Sequence, residues 1–324
     1  MNILVYDVAA ENGGAVTILE YYYGIHSSDV NNHYYYLLST YKLADRNNIT
    51  VINVPSIKKS WLHRLAFDYF ESRKFLKQYK IDEVFSLQNT ILPSFRGKQT
   101  VYLHNAIPFS EVRFHLYDKP FLWVYQNIVG YFIKRSCKSA DEVIVQTQWM
   151  RNEVEKITPE TKITISFPEI SIPNGIEYKK SDEVIFFYPA NPAHFKNHKV
   201  LIDACTFLRA QNINNYRVVL TLTGNENNEI AALYQRSIKL HLPVKWIGTV
   251  SRNEVFDWYQ KSVLVFPSYL ETVGLPLYEA KKVKCPIIAA DCKYAKDVIG
   301  DYSDAYFFDY CDSSHLAELM REFT

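Results

Sequence analysis

The sequence lacks the features that mark several protein classes. Its 324 residues include only 10 glycines and 13 prolines, and no long polar tract interrupts them, which excludes fibrous, linker-like or disordered material over most of the chain. An excess of charge of one sign is also missing. Lys plus Arg number 36 against 35 Asp plus Glu, a formal charge of +1, so no global field draws the chain onto nucleic acid and none is expected as a partner. The five cysteines, Cys137, Cys205, Cys285, Cys292 and Cys311, are odd in number and form no C-x-x-C pair. A sequence-local zinc or dithiol site is therefore excluded, and a reducing compartment fits. The longest apolar run, Phe121 to Ile133, has 13 residues and contains Gln126, Asn127 and Gly130, short of the roughly 20 that span a bilayer. The N-terminal MNILVYDV has no basic leader and no small-residue cleavage site after it, so it reads as a first strand rather than a signal peptide, and the expected location is cytoplasmic.

What the chain does have is a rhythm. At 48% hydrophobic and 22% charged residues, it has globular proportions and a length that suits two domains. Short β-rich runs (NILVYDV, HYYYLLST, ITVINV, EVFSLQ, TVYLHN, EVIVQT) alternate with amphipathic segments, which predicts parallel α/β layering. A helical stretch spans 148–157, and the segment 158–181, rich in Pro, Lys and turn signals including Pro173-Asn174-Gly175, marks the boundary region. A second series follows: VIFFYPA, YRVVLTLTG, VKWIG, VLVFPS, PIIAA and AYFFD. The expectation is two Rossmann-like doubly wound domains, 1–178 and 179–324, facing a cleft, with ligands bound outside the carboxyl ends of the strands. The tyrosine-rich tracts YYYGIH and HYYYLL read as core and strand positions.

The most informative loop lies between Val263 and Asp291. A buried strand ends at Phe266, and Pro276 stands where a helix would open. The backbone amides of Val273, Gly274 and Leu275 would then point outward at the helix N-terminus, a geometry that favours phosphate. Gly274 has no Cβ to block close approach. Glu271 lies in the loop and Glu279 one helical turn further on, where a carboxylate can accept hydrogen bonds from ligand hydroxyls. The plainer alternative is a solvated loop acid and an ordinary first-turn acid.

The string PSYLETVGLPLYEAKKVKCPIIAAD resembles the nucleotide-sugar signature of retaining GT-B glycosyltransferases of family four, the glycosyl transferases group 1, whose two glutamates are separated by seven residues, as Glu271 and Glu279 are here. YPANPAHFKNHKVLIDA is similar to the family's lysine-containing loop, with Lys196 at the lysine position. LTLTGN, with Gly224, and WIGTVSRNEVFDWYQKSVLVFPS, with Val250, resemble the next two blocks, and ITISFPEISIPNGIE the interdomain segment. In the first half, ENGGA, with Gly13 and Gly14, and YLHNA, with His104, look like the first loop and the histidine block. The resemblance is dense from Ile172 to Asp291 and sparser before it.

It implies transfer of a sugar from a nucleotide-diphosphate donor to the hydroxyl of a saccharide or lipid-linked acceptor, with retention at the anomeric carbon, in the assembly of a cell-surface polysaccharide or glycolipid. Lys196 would neutralise the pyrophosphate as it leaves, with the amides of Thr272, Val273, Gly274 and Leu275 around it. Glu271 would hold the donor sugar, Glu279 the ribose, the backbone near Val250 the nucleobase, and His104 the sugar in transfer. Gly13 and Gly14 would admit donor or acceptor near the backbone, unless they serve only a plain turn. No D-x-D triplet occurs, so neither a metal nor another cofactor is expected. One departure stands out: where the family commonly has an arginine before the lysine, this chain has Ala190, with His194 as a candidate to compensate. Three alternatives remain. A sugar-nucleotide epimerase of the same architecture needs no acceptor, and a non-catalytic nucleotide-sugar-binding subunit would bind donor without transfer. A nicotinamide oxidoreductase would require the G-x-G-x-x-G motif that ENGGA does not supply.

From Trp61 to Lys80 the spacing predicts one amphipathic helix at about 100° per residue. Trp61, Leu62, Leu65, Tyr69, Leu76 and Tyr79 share one face, and Arg64, Lys74 and Lys77 lie opposite with Phe67 and Phe70 among them. The apolar stripe would pack on the N-terminal sheet. The basic and aromatic face would either be solvated or rest on an anionic membrane at the inner side of the cell membrane.

Overall fold

The computed structural model describes residues 1–11, 13–167, 172–173 and 175–324. The chain divides into two compact units, Met1–Glu169 and Ile170–Thr324. Asn174 of the expected Asn-Gly turn, Asn12 of ENGGA and residues 168–171 of the interdomain segment lie outside the described residues. Tyr178 N–H donates to Val283 O at 2.8 Å and Lys179 N–H to Gln260 O at 2.7 Å, so the backbone at 178 and 179 is tied into the second unit.

The first unit is built on a seven-stranded sheet in the order β3-β2-β1-β4-β5-β6-β7. Its strands are β1 (Asn2–Asp7), β2 (His33–Leu38), β3 (Ile49–Asn53), β4 (Glu83–Ser86), β5 (Lys98–Tyr102), β6 (Glu142–Val145) and β7 (Lys162–Ile165), and every pairing is parallel. The helices are α1 (Gly13–Ser27), α2 (Trp61–Ala66), α3 (Ser72–Gln78), α4 (Pro120–Val124), α5 (Gly130–Ser139) and α6 (Gln148–Glu155). Six of the strands lie in the runs read from the sequence. β7 falls where only boundary signals were expected, because it is a short edge strand whose four residues are all exposed or half-buried and so carries no apolar run. The tyrosine tracts are core as expected: Tyr22, Tyr23, Tyr34 and Tyr36 are buried in one cluster with Val5 and Leu19.

The 61–80 helix departs from its expected face. A π-turn, Phe67–Glu71, separates α2 from α3, and the extra residue rotates the following face out of phase. Phe67, expected among the basic residues, is 5% exposed, while Leu62 at 76%, Leu65, Tyr69 and Phe70 are exposed. Leu76 is buried as expected. Among the described residues no helix is long and apolar enough to cross a membrane.

The second unit holds a six-stranded parallel sheet, β10-β9-β8-β11-β12-β13. Its strands are β8 (Val184–Tyr188), β9 (Tyr216–Leu220), β10 (Val244–Trp246), β11 (Val263–Phe266), β12 (Ile287–Ala290) and β13 (Ala305–Phe308). α7 (His198–Ala210), α8 (Asn228–Lys239), α9 (Arg252–Tyr259), α10 (Leu275–Val283), α11 (Lys293–Ile299) and α12 (Ser313–Arg321) connect and follow them. Every residue of β11 and β12 is buried, as expected of strands covered on both faces. In chain order both sheets read as doubly wound, reversing direction once, between β1 and β4 in the first unit and between β8 and β11 in the second.

At the carboxyl end of β1, Asp7 is 1% exposed. Its Oδ1 accepts the Ala10 N–H at 3.1 Å, and its Oδ2 has no partner among the described residues. Burial raises its carboxyl to about 7, against the pull of the Ala10 and Ala9 amides, Arg64 and Lys58. The folded state therefore holds the proton more tightly than the unfolded chain. The associated stability is full below the ordinary carboxylate range and is lost as pH rises through about 7. Asp7→Asn is expected to be more stable than wild type at pH 8, by roughly 1–3 kcal/mol, with the gain smaller at pH 5 and gone below the ordinary carboxylate range. Thermal melts of both proteins across that range check it, and a pH-independent difference would contradict it.

Candidate active site

The reversal of strand order in the second unit sets the site. The loops after β8 and β11 open side by side at the carboxyl edge of the sheet, the position where doubly wound folds bind ligands. Three contacts join the two loops. Tyr269 N–H donates to Phe195 O at 3.0 Å, and Ser268 Oγ lies 3.2 Å from that carbonyl and 2.8 Å from Glu271 Oε1. Lys196 Nζ donates to Glu271 Oε1 in a direct ion pair. Both partners are mostly enclosed, with side-chain exposures of 13% and 16%, so each charge depends on the other. The Lys196 ammonium also lies 5.7 Å from the Phe266 ring centroid.

Local geometry fixes this lysine. Residues His194–Lys196 form a 3-10 turn, and Asn197 follows at φ 56° as the N-cap of α7. Asn197 Nδ2 donates to Tyr310 O at 2.8 Å, and Tyr188 O–H to Lys196 O at 2.7 Å, so the loop is held from the loop after β13 and from β8.

Gly274 caps α10 at φ 73° and ψ 64°, a left-handed conformation that suits glycine. A Cβ there would come within 3.1 Å of the Tyr294 ring and 3.2 Å of Leu277 and Phe266. Leu277 N–H donates to Gly274 O at 2.9 Å, and the N–H groups at such a helix start, with the helix dipole, form an anion-binding end. Val273 is 2% exposed, while Thr272 and Leu275 are half-buried.

Glu279 sits one turn into α10 and is 5% exposed. Its Oε1 lies 2.9 Å from Arg252 Nη2, and Tyr259 O–H donates to Oε2 at 3.2 Å. Burial raises its carboxyl above the ordinary range, and Arg252 and then Tyr259 oppose that rise. Arg252 stands two residues after Val250 in the loop following β10, so it brings the Val250 loop to the Glu279 carboxylate.

Other expected positions are placed less directly. Gly224 follows β9 at φ 94°, and a Cβ there would collide with the Tyr234 ring at 2.4 Å. Its N–H is taken by the Glu226 carboxylate at 3.1 Å, an internal anion already seated in that turn. Ala190 N–H donates to Thr221 Oγ1 at 3.1 Å, and His194 Nδ1 is engaged with Glu229 Oε2 at 2.9 Å.

Gly13, Gly14 and His104 belong to the first unit. Gly13 and Gly14 start α1. Nothing lies within 4 Å of a Cβ built on Gly14, and its φ is not positive. His104 follows β5, and its backbone N–H donates to Asn89 Oδ1 at 2.8 Å. The residue keeps some exposed surface, but its Nδ1 is enclosed without a partner among the described residues. Burial lowers its pKa to about 4, so the ring is neutral at neutral pH.

Sequence reasoning missed Ser268, Arg252, Tyr259 and Asn197. Ser268 sits beside the recognised motif, and Asn197 adjoins Lys196, but an inter-loop hydrogen bond leaves no periodic signal. Arg252 is readable only as the first helical residue, between the two members of a Ser251–Glu254 capping box. Among the described residues no group of three or more His, Cys, Asp or Glu side chains is arranged to hold a metal ion.

Comparison with known proteins bears on the family and the fold. Residues 174–324 match the family described as glycosyl transferases group 1. The O-antigen chain mannosyltransferase RfbU of Salmonella typhimurium is 21% identical over 262 residues, covering 77% of this chain and 70% of that protein. The sucrose-phosphate synthase of Thermosynechococcus elongatus superposes with a TM-score of 0.75 at 14% identity, over 99% of this chain and 88% of that one. HepE of Anabaena, solved with UDP-glucose, superposes with a TM-score of 0.69 at 14% identity, over 99% and 89%. These likenesses support the GT-B fold class, with its pair of Rossmann-like sheets. Over residues 174–324 the chain thus matches the glycosyl transferases group 1 family, and the match together with the mannosyltransferase relative supports a glycosyltransferase enzyme.

Proposed function

We propose that the protein is a retaining, metal-independent transferase that moves a sugar from a nucleoside-diphosphate donor to a saccharide or lipid-linked acceptor in cell-surface polysaccharide assembly. The observation that carries this reading is the enclosed Lys196–Glu271 pair beside the Gly274-capped start of α10. A cation, a carboxylate and a helix N-terminus meet at the strand reversal, and a diphosphate joined to a sugar needs all three. On binding, the diphosphate takes Lys196 and the α10 N–H groups, and Glu271, released, accepts the sugar hydroxyls. Glu279 accepts the ribose hydroxyls, and the backbone near Val250 meets the base. As the bond from the anomeric carbon to phosphate breaks, Lys196 and the helix dipole stabilise the leaving charge, and the phosphate oxygen on that face takes the acceptor proton. The acceptor side is assigned to the first unit, where His104 is neutral and suited to hydrogen-bonding an uncharged sugar. HepE's complex with UDP-glucose supports the donor class, and the O-antigen transferase relative supports a surface polymer as product. Ala190, at the family's usual arginine position, leaves one cation fewer for the diphosphate and keeps a binding subunit without transfer as the second reading.

A thermal-shift and calorimetry panel of UDP, GDP, ADP and their sugars, run in EDTA, tests the donor site by mass action. One nucleotide class is expected to raise the melting temperature without metal. Lys196→Ala should weaken its binding roughly 10–100-fold, the scale of a lost hydrogen bond to a charged group. Absence of binding across the panel would sink the reading, and binding with no transfer to any acceptor would favour the second. Proton NMR of the product should show the donor's anomeric configuration kept, and an inverted product would overturn the retaining assignment.

Contact of the 61–80 helix with an anionic membrane belongs to the same proposal. Leu62, Leu65 and Phe70 are exposed there, and Lys74 and Lys77 are exposed as well. Sedimentation with phosphatidylglycerol vesicles should fall when Lys74 and Lys77 become Glu; binding that ignores that change would refute the contact.

A further inference from the structure

Glu279 poses a problem that the motif does not solve. A carboxylate one-twentieth exposed is costly to keep ionised, yet only an ionised carboxylate accepts from two neighbouring hydroxyls without offering a proton of its own. Its surroundings supply the compensation from another element. Arg252, at the start of α9, reaches Glu279 Oε1 at 2.9 Å, while Tyr259, at the end of the same helix, donates to Oε2 at 3.2 Å. The guanidinium carbon lies 5.3 Å from the Phe256 ring centroid, and the first turn beneath it is fixed by the Ser251–Glu254 capping box. Glu254 Oε2 accepts both Ser251 N–H and Ser251 O–H at 2.7 Å. The Arg252 side chain is 48% exposed and that of Glu279 is 7%, so the cation stands at the rim and the carboxylate behind it.

We propose that Arg252 is a positioning residue for the nucleoside half of the donor: it keeps Glu279 ionised and its Oε1 anchored, and thereby makes the site select a ribose with both hydroxyls over a 2′-deoxyribose. The inference rests on the donor reading above, because Glu279 meets the ribose only there. It goes further in naming the element that sets sugar selectivity within the nucleotide, α9, which carries none of the motif's glutamates. Charged neighbours on α10 do not replace Arg252. Lys281 Nζ donates to Ile299 O at 2.7 Å, and Lys282 lies 5.5 Å from the Tyr278 ring centroid. Tyr259 stays protonated because burial raises its hydroxyl well above the ordinary value. Cys285, beside it, is held as a thiol in the same way, so neither contributes a charge near neutral pH.

The test compares UDP with 2′-deoxy-UDP, and GDP with 2′-deoxy-GDP, by calorimetry on wild type, Arg252→Met, Arg252→Lys and the neutral pair Arg252→Met/Glu279→Gln. Wild type should bind one ribonucleotide about tenfold or more tightly than its deoxy form, the scale of a hydrogen bond to a charged group. Arg252→Met should bring the two within about threefold at pH 7, and Arg252→Lys should restore part of the preference. Because losing Arg252 moves Glu279 further toward its protonated form, the Arg252→Met preference should return as pH rises toward 9, whereas a merely structural lesion would not recover with pH. The neutral pair leaves no uncompensated charge, so it should melt near wild type while remaining non-selective; this keeps the test readable if Arg252→Met alone folds poorly. Wild-type selectivity that survives in Arg252→Met at pH 7 would overturn the inference and leave the donor reading standing. Failure of wild type to bind any of the four nucleotides, or ADP, would remove both.

Discussion

The ion pair between Lys196 and Glu271 sets conditions that much of the second unit meets. Two charges at 13% and 16% side-chain exposure persist only if both are delivered to one place, since either alone would be a buried, unpaired charge. Delivery requires the loops after β8 and β11 to be neighbours, which the single reversal in strand order provides. It also requires those loops to be held in register. The Phe195 carbonyl does this by accepting from Tyr269 N–H and lying within reach of Ser268 Oγ, while Asn197, in a left-handed conformation, ties the lysine loop to Tyr310. The all-buried strands β11 and β12 give these loops a rigid base.

The same solution recurs along that edge. Glu279 is answered by Arg252 and Tyr259, and the turn at Thr223 and Gly224 is filled by Glu226, which accepts Gly224 N–H at 3.1 Å. Each of these carboxylates is met by groups of the chain itself. A ligand that enters such a site exchanges partners rather than filling a void, and the exchange is favourable only if it offers charge and hydroxyls at matching points. Selectivity then comes from the partners left behind, because an analogue that lacks one group strands a buried charge.

The fold was largely legible because parallel strands buried on both faces read as continuous apolar runs; VLVF and IIAA are examples, and the punctuation after them located the loops. The motif glutamates and Lys196 were legible through resemblance to a family pattern, and their pairing was not, since nothing in the sequence says that residue 196 meets residue 271. β7 escaped because KITI is a half-exposed edge inside a stretch of turn signals. The 61–80 face was misread because a π-turn at Phe67–Glu71 breaks the 3.6-residue period on which the reading depends; Phe67 turned inward and Leu62 outward. Arg252 was invisible for a related reason. Its role lies in a contact between two helices that the sequence separates by a strand and a loop.

The two units also differ in how they treat polar groups at the carboxyl ends of their strands. In the second unit Lys196, Glu271 and Glu279 each face an opposite charge, and His198 Nε2 alone among the groups between β8 and β9 is buried without a partner among the described residues. In the first, Asp7 Oδ2, Ser39 Oγ and His104 Nδ1, which end or follow β1, β2 and β5, are buried without partners among the described residues, and burial drives the two titratable ones toward neutrality, Asp7 up to about 7 and His104 down to about 4. The difference fits a division of labour. A diphosphate must be met by fixed charge, and charge is worth most where water is excluded. An acceptor hydroxyl is neutral, and a buried ion near it would cost desolvation without a counter-charge to offset it. Neutral donors and acceptors held in apolar surroundings are the economical way to recognise a sugar, and on the proposed reading they are kept in the unit that does not carry the diphosphate.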